Sequence, residues 1–189
     1  MEPDEVLSRR AELSLQRIGH LAYVAKASSE MPIGALSLAI ATEVETFTDH
    51  LLEDLIELSS LKSTGFGAQL VKSVGSQFYQ SWPERKKWLK SFGVWVSPDR
   101  EQELFSLADL RNSMAHGAGR LTKFQKREFS SQMSLESNLH KNLDFIVEGG
   151  QLHSGYKSMD YIVRVGRAYL TELDDKSCAK FPALRKASY

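Results

Sequence analysis

The chain has 189 residues, of which 42% are hydrophobic and 25% are charged, which fits one globular domain and excludes a disordered or fibrous chain. Its 24 basic and 24 acidic side chains give a formal net charge of zero. This balance argues against a protein that coats nucleic acid with a broad basic surface, so any contact with RNA must be confined to one cleft.

Helical periodicity dominates the first half of the chain. Residues 3–29 are predicted to form a helix with an approximate apolar stripe, and Pro32 marks the start of the next one. Residues 33–61 are the clearest helix, because apolar residues recur three and four positions apart: Leu36, Ile40, Val44, Phe47, Leu51, Leu55 and Leu58. A shorter helix is expected over residues 68–80.

Two proline-containing starts follow in the second half. Trp82-Pro83 opens a helical stretch, and Ser97-Pro98 opens another, with Ser97 as the candidate cap and Pro98 at the first position. The second of these helices should end near His116, because Gly117 suits the position after a helix. Residues 122–140 are polar and show only weak periodicity.

The last part of the chain combines a hairpin pattern with one more helix. Glu148-Gly149-Gly150 is flanked by the apolar run 143–147 and by Gln151-Leu152-His153, which predicts a small β-hairpin, and residues 156–173 predict a final helix. We therefore expect an all-α bundle of about five to six helices with a late hairpin. Residues 1–175 are predicted to be a single domain, and residues 176–189 a loose, basic C-terminal tail.

The sequence also favours a cytoplasmic protein. Cys178 is the only cysteine, so neither an intrachain disulfide nor a cysteine-based metal site can form, and a free thiol suits a reducing compartment. The N-terminal residues are acidic and lack the apolar core of a signal peptide. No apolar run approaches the roughly 18 residues that a membrane span needs.

The helix that ends near Gly117 carries the residues best suited to chemistry. Asp109, Asn112 and His116 are three and four positions apart and therefore share one face, whereas Arg111 lies about 140° round the helix from His116. An imidazole can transfer a proton near neutral pH, and a guanidinium can hold a phosphate. Such a set suits cleavage of RNA, in which the 2′-hydroxyl is a built-in nucleophile and no metal is required.

The spacing by itself has little specificity. Chance alone predicts about one arginine followed by histidine at such a distance in a chain of this composition. A histidine before a helix-terminal glycine can also simply interact with the helix dipole.

The residues around the pair carry more weight. The segment Arg111-Asn112-x-x-Ala115-His116-Gly117 resembles the signature of the HEPN superfamily, in which arginine and a polar residue precede histidine at the end of a helix. The helix with Glu45 and Phe47 resembles a second conserved part of that superfamily. The segment after Trp82 and the late hairpin are similar to the branch called RiboL-PSP-HEPN. The resemblance covers roughly residues 30–175.

The resemblance implies a helical bundle that pairs as a homodimer and acts as a metal-independent endoribonuclease without a cofactor. Arg111 and His116 would be catalytic, with Asn112 as the residue that positions them, and products would carry a 2′,3′-cyclic phosphate and a 5′-hydroxyl. Members often serve as toxins or antiviral effectors, so an antitoxin or defence-system partner is expected. Some toxin members have a tyrosine that is modified two positions after the histidine. This chain has Ala118 there, which argues against that regulation.

Other candidate residues carry weaker predictions. Glu45, Asp109, Arg120 and Lys123 are candidate substrate-binding residues, with solvated surface charge as the alternative. Glu43 is expected at a core edge or a dimer seam. The basic residues near Trp82 and Trp88 fit either strand binding or an ordinary helix whose tryptophans lie in the core: Arg85, Lys86, Lys87 and Lys90. No histidine has companions at metal-ligand spacing.

Two further functional hypotheses remain open beside the ribonuclease. The first is a non-catalytic module of the same fold, which binds a nucleotide, RNA or a protein partner or acts as a dimeric antitoxin or regulator. The zero net charge favours it. The second is a purely structural helical adaptor in which the motif arises by chance. A monomer with a buried His116 would favour the adaptor.

Overall fold

The computed structural model describes residues 7–27, 31–75 and 79–186. Within these residues the chain forms seven α-helices and one antiparallel pair of strands: α1 (Arg9–Ala27), α2 (Ile33–Leu58), α3 (Gly65–Val74), α4 (Trp82–Ser91), α5 (Pro98–Gly117), α6 (Phe129–Leu143), β1 (Phe145–Glu148), β2 (Gln151–Ser154) and α7 (Ser158–Lys180). Short 3₁₀ turns lie at Leu61–Ser63 and Pro182–Lys186. The predicted all-α bundle with a late hairpin is confirmed.

Helix α2 is the centre of the bundle and packs against α1, α4, α5 and α7. Its predicted apolar stripe is buried from Leu36 to Leu55, whereas Leu58 is 40% exposed because the helix ends there. Helix α7 faces it with four side chains that are fully buried: Ile162, Val165, Tyr169 and Leu173. Each such side chain contributes roughly 1.5–3 kcal/mol through burial.

Tyr169 joins α7 to the segment around α4. Its ring meets Trp82 and Trp95 edge-on, at centroid distances of 5.8 and 6.3 Å, and its hydroxyl lies 3.4 Å from Thr48 Oγ1. Burial raises the pKa of Tyr169. Trp82 is only 8% exposed, so it is a core residue and is not available to stack on a nucleic-acid strand.

The contact between α2 and α7 depends on a glycine. A Cβ atom at Gly166 would lie 2.6 Å from Ile40 Cγ2 and 3.4 Å from Ile18 Cδ1. We expect Gly166→Ala to lower the free energy of unfolding by about 1–2 kcal/mol, since overpacking outweighs the gain in helix propensity. Gly19→Ala is the matched control: its Cβ would meet only Arg167 Nη1, at 3.7 Å, so this change should stabilise the chain by up to about 1 kcal/mol. Urea denaturation followed by circular dichroism measures both changes in the free energy of unfolding. Two changes of the same sign would contradict this explanation.

The structure departs from the sequence-based prediction in three helices. The helix predicted over residues 68–80 is α3, which runs from Gly65 to Val74. The weakly periodic residues 122–140 include most of α6, which continues to Leu143 and buries only Leu139, Asn142 and Leu143. Helix α7 continues to Lys180, and Leu184 beyond it is 3% exposed, so the described part of the segment predicted as a loose tail is helical and packed. Parts of three predictions lie outside the described residues: residues 3–6 and 28–29 of the first helix, residues 76–78 of the third, and residues 187–189 of the tail.

Candidate functional site

Helix α5 carries the predicted active-site motif and is anchored at its start by α7. Ser97 occupies the N-cap position and Pro98 the first helical position, as predicted. The Ser97 side chain makes no capping bond within its own helix. Instead, its backbone N–H and its hydroxyl donate to the Glu172 carboxylate, at 2.6 and 3.1 Å. Burial alone would raise the pKa of Glu172. The hydrogen bonds from Ser97 and Lys176 outweigh it, so the pKa is lowered.

The other end of α5 is held by the hairpin. Gly117 is the last helical residue, and Ala118 and Gly119 follow with φ of 49° and 81°, so the left-handed turn lies one residue later than predicted. The N–H of Gly119 donates to Ser113 O at 3.1 Å, which closes the helix end. Leu121 N–H then donates to Gly150 O, and Leu152 N–H donates to Gly119 O. The turn after His116 is therefore fixed against β2.

Four of the predicted site residues line one cleft of about 580 Å³, which we call the Arg111 cleft. Its walls come from α2, α4, α5 and the turn after α5, and include Glu45, Trp82, Arg85, Asp109, Arg111, Asn112 and Phe124. Arg111 Nη1 donates to Asn112 Oδ1 at 3.1 Å, and Arg111 Nη2 lies 4.0 Å from Glu45 Oε2. The guanidinium is thus oriented by an amide on one side and a carboxylate on the other.

His116 does not line the Arg111 cleft. It is exposed, in the last turn of α5, and has no hydrogen-bond or ion-pair partner within the described residues. The structure of one chain therefore brings together Arg111, Asn112, Glu45 and Asp109 and leaves the imidazole outside. An approaching molecule can reach His116 without displacing other side chains.

The two candidate phosphate-binding residues after the motif lie elsewhere. Arg120 is exposed, and its Nη2 donates to Gly149 O at 3.3 Å, so it supports the hairpin turn. Lys123 is exposed and does not line the Arg111 cleft. Glu43 lies at the seam between α1 and α2, where it pairs with Arg17 at 3.2 Å.

Gln125 was not identified from the sequence, yet it connects the motif helix to the following turn. It is buried, its Oε1 accepts from Ser113 Oγ at 3.0 Å and from Thr122 N at 2.9 Å, and its Nε2 donates to Asp109 O at 2.9 Å. In return, Thr122 Oγ1 accepts from Gln125 N at 3.2 Å. This reciprocal pair is a capping box, and the Thr-x-x-Gln spacing is the signal that could have revealed it.

Phe124 is the second residue that the sequence did not reveal. Its neighbours Thr122 and Gln125 are tied down by the capping box, and the Phe124 ring is 81% exposed at the rim of the Arg111 cleft. Its ring is therefore available to a molecule that enters the Arg111 cleft.

Three of the four basic residues of α4 are paired with acidic ones. Arg85 is buried and forms a two-bond ion pair with Asp49, at 2.7 and 2.9 Å, with its guanidinium over the Trp82 ring. Lys86 donates to Glu101, and Lys87 lies 3.7 Å from Glu84. Of the two interpretations of this segment, the structure favours an ordinary packed helix.

Asp109 is a half-buried carboxyl group at the edge of the cleft. Burial raises the pKa of Asp109, and the hydrogen bond from Gln125 only partly offsets this. An acid whose pKa is raised by folding holds its proton more tightly in the folded chain. The free energy of unfolding therefore falls as pH rises from about 3.9, the pKa of the unfolded chain, through the pKa of the folded chain.

Asp109→Asn should therefore be more stable than the unmodified chain at neutral pH, because it has no charge to bury. The difference should shrink as pH falls and vanish below about pH 3.9, where Asp109 is protonated in both states. Urea midpoints of the two proteins, measured at several pH values, check this prediction. A difference that stays constant with pH would contradict it.

Comparison with models of protein families, with curated proteins and with solved structures gives no match. Across residues 7–27, 31–75 and 79–186, no group of three or more histidine, cysteine, aspartate or glutamate side chains is placed to hold a metal ion. None of the helices described has both the length and the apolar character needed to cross a membrane.

Proposed function

We propose that this protein is a metal-independent endoribonuclease of the HEPN kind that acts as a homodimer. The observation that carries the proposal is the oriented Arg111 guanidinium in a cleft, on the same helix as an exposed, unpartnered His116. A guanidinium can hold a phosphate and offset the charge that develops in the transition state. An accessible imidazole can transfer protons near neutral pH.

The chemical steps follow from these groups. The His116 imidazole takes the proton of the 2′-hydroxyl, whose oxygen attacks the adjacent phosphorus while the bond to the 5′-oxygen breaks. The leaving 5′-oxygen receives a proton, which the second copy's imidazolium can supply. The products are a 2′,3′-cyclic phosphate and a 5′-hydroxyl. Asn112 and Glu45 act as positioning residues for Arg111.

A dimer is part of the proposal because one chain separates the two catalytic groups. Arg111 lies in the cleft and His116 lies outside it, on a different side of α5. A two-fold axis near the end of α5 would place the His116 of one copy opposite the Arg111 of the other. RNA would then be cut between the copies.

The cellular role that we propose is that of a cytoplasmic toxin or antiviral defence effector. Such an enzyme would be restrained by an antitoxin or another defence-system partner. Modification of a tyrosine cannot provide this restraint at the position two residues after His116, because Ala118 occupies it.

A non-catalytic module of the same fold is the second candidate. It is favoured by the position of His116 outside the cleft and by Glu45, whose charge opposes that of Arg111. Such a module would bind a nucleotide, RNA or a protein partner through the Arg111 cleft without cleaving it.

The test is incubation of the purified protein with transfer RNA and with total RNA in the presence of EDTA. We expect cleavage that leaves cyclic phosphate and 5′-hydroxyl ends, no cleavage of the corresponding DNA, and a dimer in light scattering. Intact RNA across these substrates, or a strictly monomeric protein that cleaves, would overturn the proposal.

A further inference from the structure

Asp109 and Phe124 border two clefts at once. On one side is the Arg111 cleft. On the other side is a cleft of about 480 Å³, which we call the Asn138 cleft and which is also lined by Gln125, Ser131, Ser134, Leu135 and Asn138. The two clefts therefore adjoin each other at the same two side chains. A nucleotide whose phosphate contacts Arg111 has a second cavity beside it for a base.

The Asn138 cleft has the surfaces that a flat, polar ring requires. The Phe124 ring is 81% exposed and forms one wall, and Leu135 adds apolar surface. Asn138 Oδ1 accepts from Gln102 Nε2 at 3.0 Å. The Nδ2 amide group of Asn138 has no acceptor within the described residues and can donate toward the cleft.

Asp109 supplies the complementary acceptor. An ionised carboxylate can only accept hydrogen bonds, and Asp109 Oδ1 receives just one long bond, from Gln125 Nε2 at 3.5 Å. Its Oδ2 has no donor in the part of the chain that the structure describes. A ligand with two adjacent N–H groups would satisfy both oxygens. Burial raises the pKa of Asp109 because it disfavours the charged carboxylate, and donors from a ligand would offset that cost.

We propose that the Asn138 cleft binds an unpaired guanine base, with Phe124 stacked on the ring and Asp109 accepting from N1–H and N2–H. Single-stranded RNA is commonly recognised by stacking on aromatic side chains and by hydrogen bonds to the Watson–Crick edge. Guanine presents two adjacent donors on that edge, next to the O6 acceptor that Asn138 can reach. Adenine and cytosine present one amino group beside an acceptor nitrogen, and uracil presents one donor between two acceptors.

The choice of RNA as ligand rests on the proposed ribonuclease function, so the test separates binding from cleavage. Fluorescently labelled 2′-O-methyl pentanucleotides, uridines with a central G, A, C or U, lack the attacking 2′-hydroxyl and cannot be cleaved. We expect fluorescence anisotropy to show about tenfold tighter binding of the G oligonucleotide. Phe124→Ala should weaken that binding about tenfold, because stacking is lost. Asp109→Asn should remove the preference, because its amide N–H groups face those of guanine.

Phe129→Ala is the matched control, since Phe129 is 77% exposed and lines neither cleft. It should bind the G oligonucleotide as the unmodified chain does. Equal affinities for the four oligonucleotides, including no binding of any, or an unchanged affinity in Phe124→Ala would overturn the inference. Guanine-selective binding without cleavage of natural RNA would support the inference and overturn the proposed ribonuclease. Cleavage of natural RNA without preferential binding of the G oligonucleotide would support the proposed ribonuclease and overturn the inference about guanine.

Discussion

The His116→Ala protein is expected to cleave RNA about 10²–10⁴-fold more slowly than the unmodified chain, the usual contribution of a general acid–base group. Arg111→Ala should lose about 10²–10³-fold through lost stabilisation of the transition-state charge. Both proteins should keep their fold, because His116 is exposed and the Arg111 side chain is 32% exposed, with a long contact of 4.0 Å to Glu45. Gel analysis of cleavage rates, beside circular dichroism of each variant, measures these effects.

His140→Ala is the matched control, because His140 is also exposed and lies in the last turn of α6, away from the motif. It should cleave RNA at the unmodified rate. Arg111→Lys keeps the charge but loses the planar fork, so it should recover only part of the lost rate. Full activity in His116→Ala would show that the imidazole takes no part, and the cleft would then fit the non-catalytic module better.

The bundle and the hairpin could be predicted because their signals are local. The stripe from Leu36 to Leu55 repeats over five turns, and a pattern of that length identifies a buried helix face by itself. Glu148-Gly149-Gly150 predicts a turn because glycine adopts positive φ without strain. In the structure both glycines do so, at 56° and 78°. Each element needs no knowledge of its neighbours to be recognised.

Helix α6 and the rim of the cleft could not be predicted, because they depend on contacts with distant parts of the chain. Helix α6 buries apolar side chains only near its C-terminal end, so periodicity over the whole segment is weak. Phe124 looks like a core residue in sequence, and only the capping box on either side of it explains why its ring is exposed. The Thr-x-x-Gln spacing signals the box itself, but no local pattern contains the tertiary hydrogen bond from Gln125 Nε2 to Asp109 O that ties this turn to α5.

The prediction of the site from one helix face took no account of distance along the helix. Asp109 and His116 do share a face, but seven residues separate them, which is about 10 Å along the axis. His116 therefore lies beyond the end of the cleft that Asp109 borders. Arg111, on a different side, reaches the cleft because its long side chain bends toward Asn112.

Arg85→Ala is expected to lower the free energy of unfolding by about 2–3 kcal/mol. Removal of one member of an ion pair leaves the other charge uncompensated, which costs about 3–5 kcal/mol when both side chains are fully buried. The value is smaller here because the Asp49 side chain is 26% exposed. Burial alone would lower the pKa of Arg85, and the hydrogen bonds and charge of Asp49 outweigh it and keep the pKa raised. Urea denaturation measures the change.

Lys87→Ala on the same helix is the matched control, because its contact with Glu84 is exposed and 3.7 Å long. Its effect should stay within about 0.5 kcal/mol. Asp49→Asn removes the charge that Arg85→Ala leaves unpaired, so the arginine substitution should cost about half as much in that background. Equal costs in both backgrounds would mean that Arg85 stabilises the chain only through its packing on Trp82.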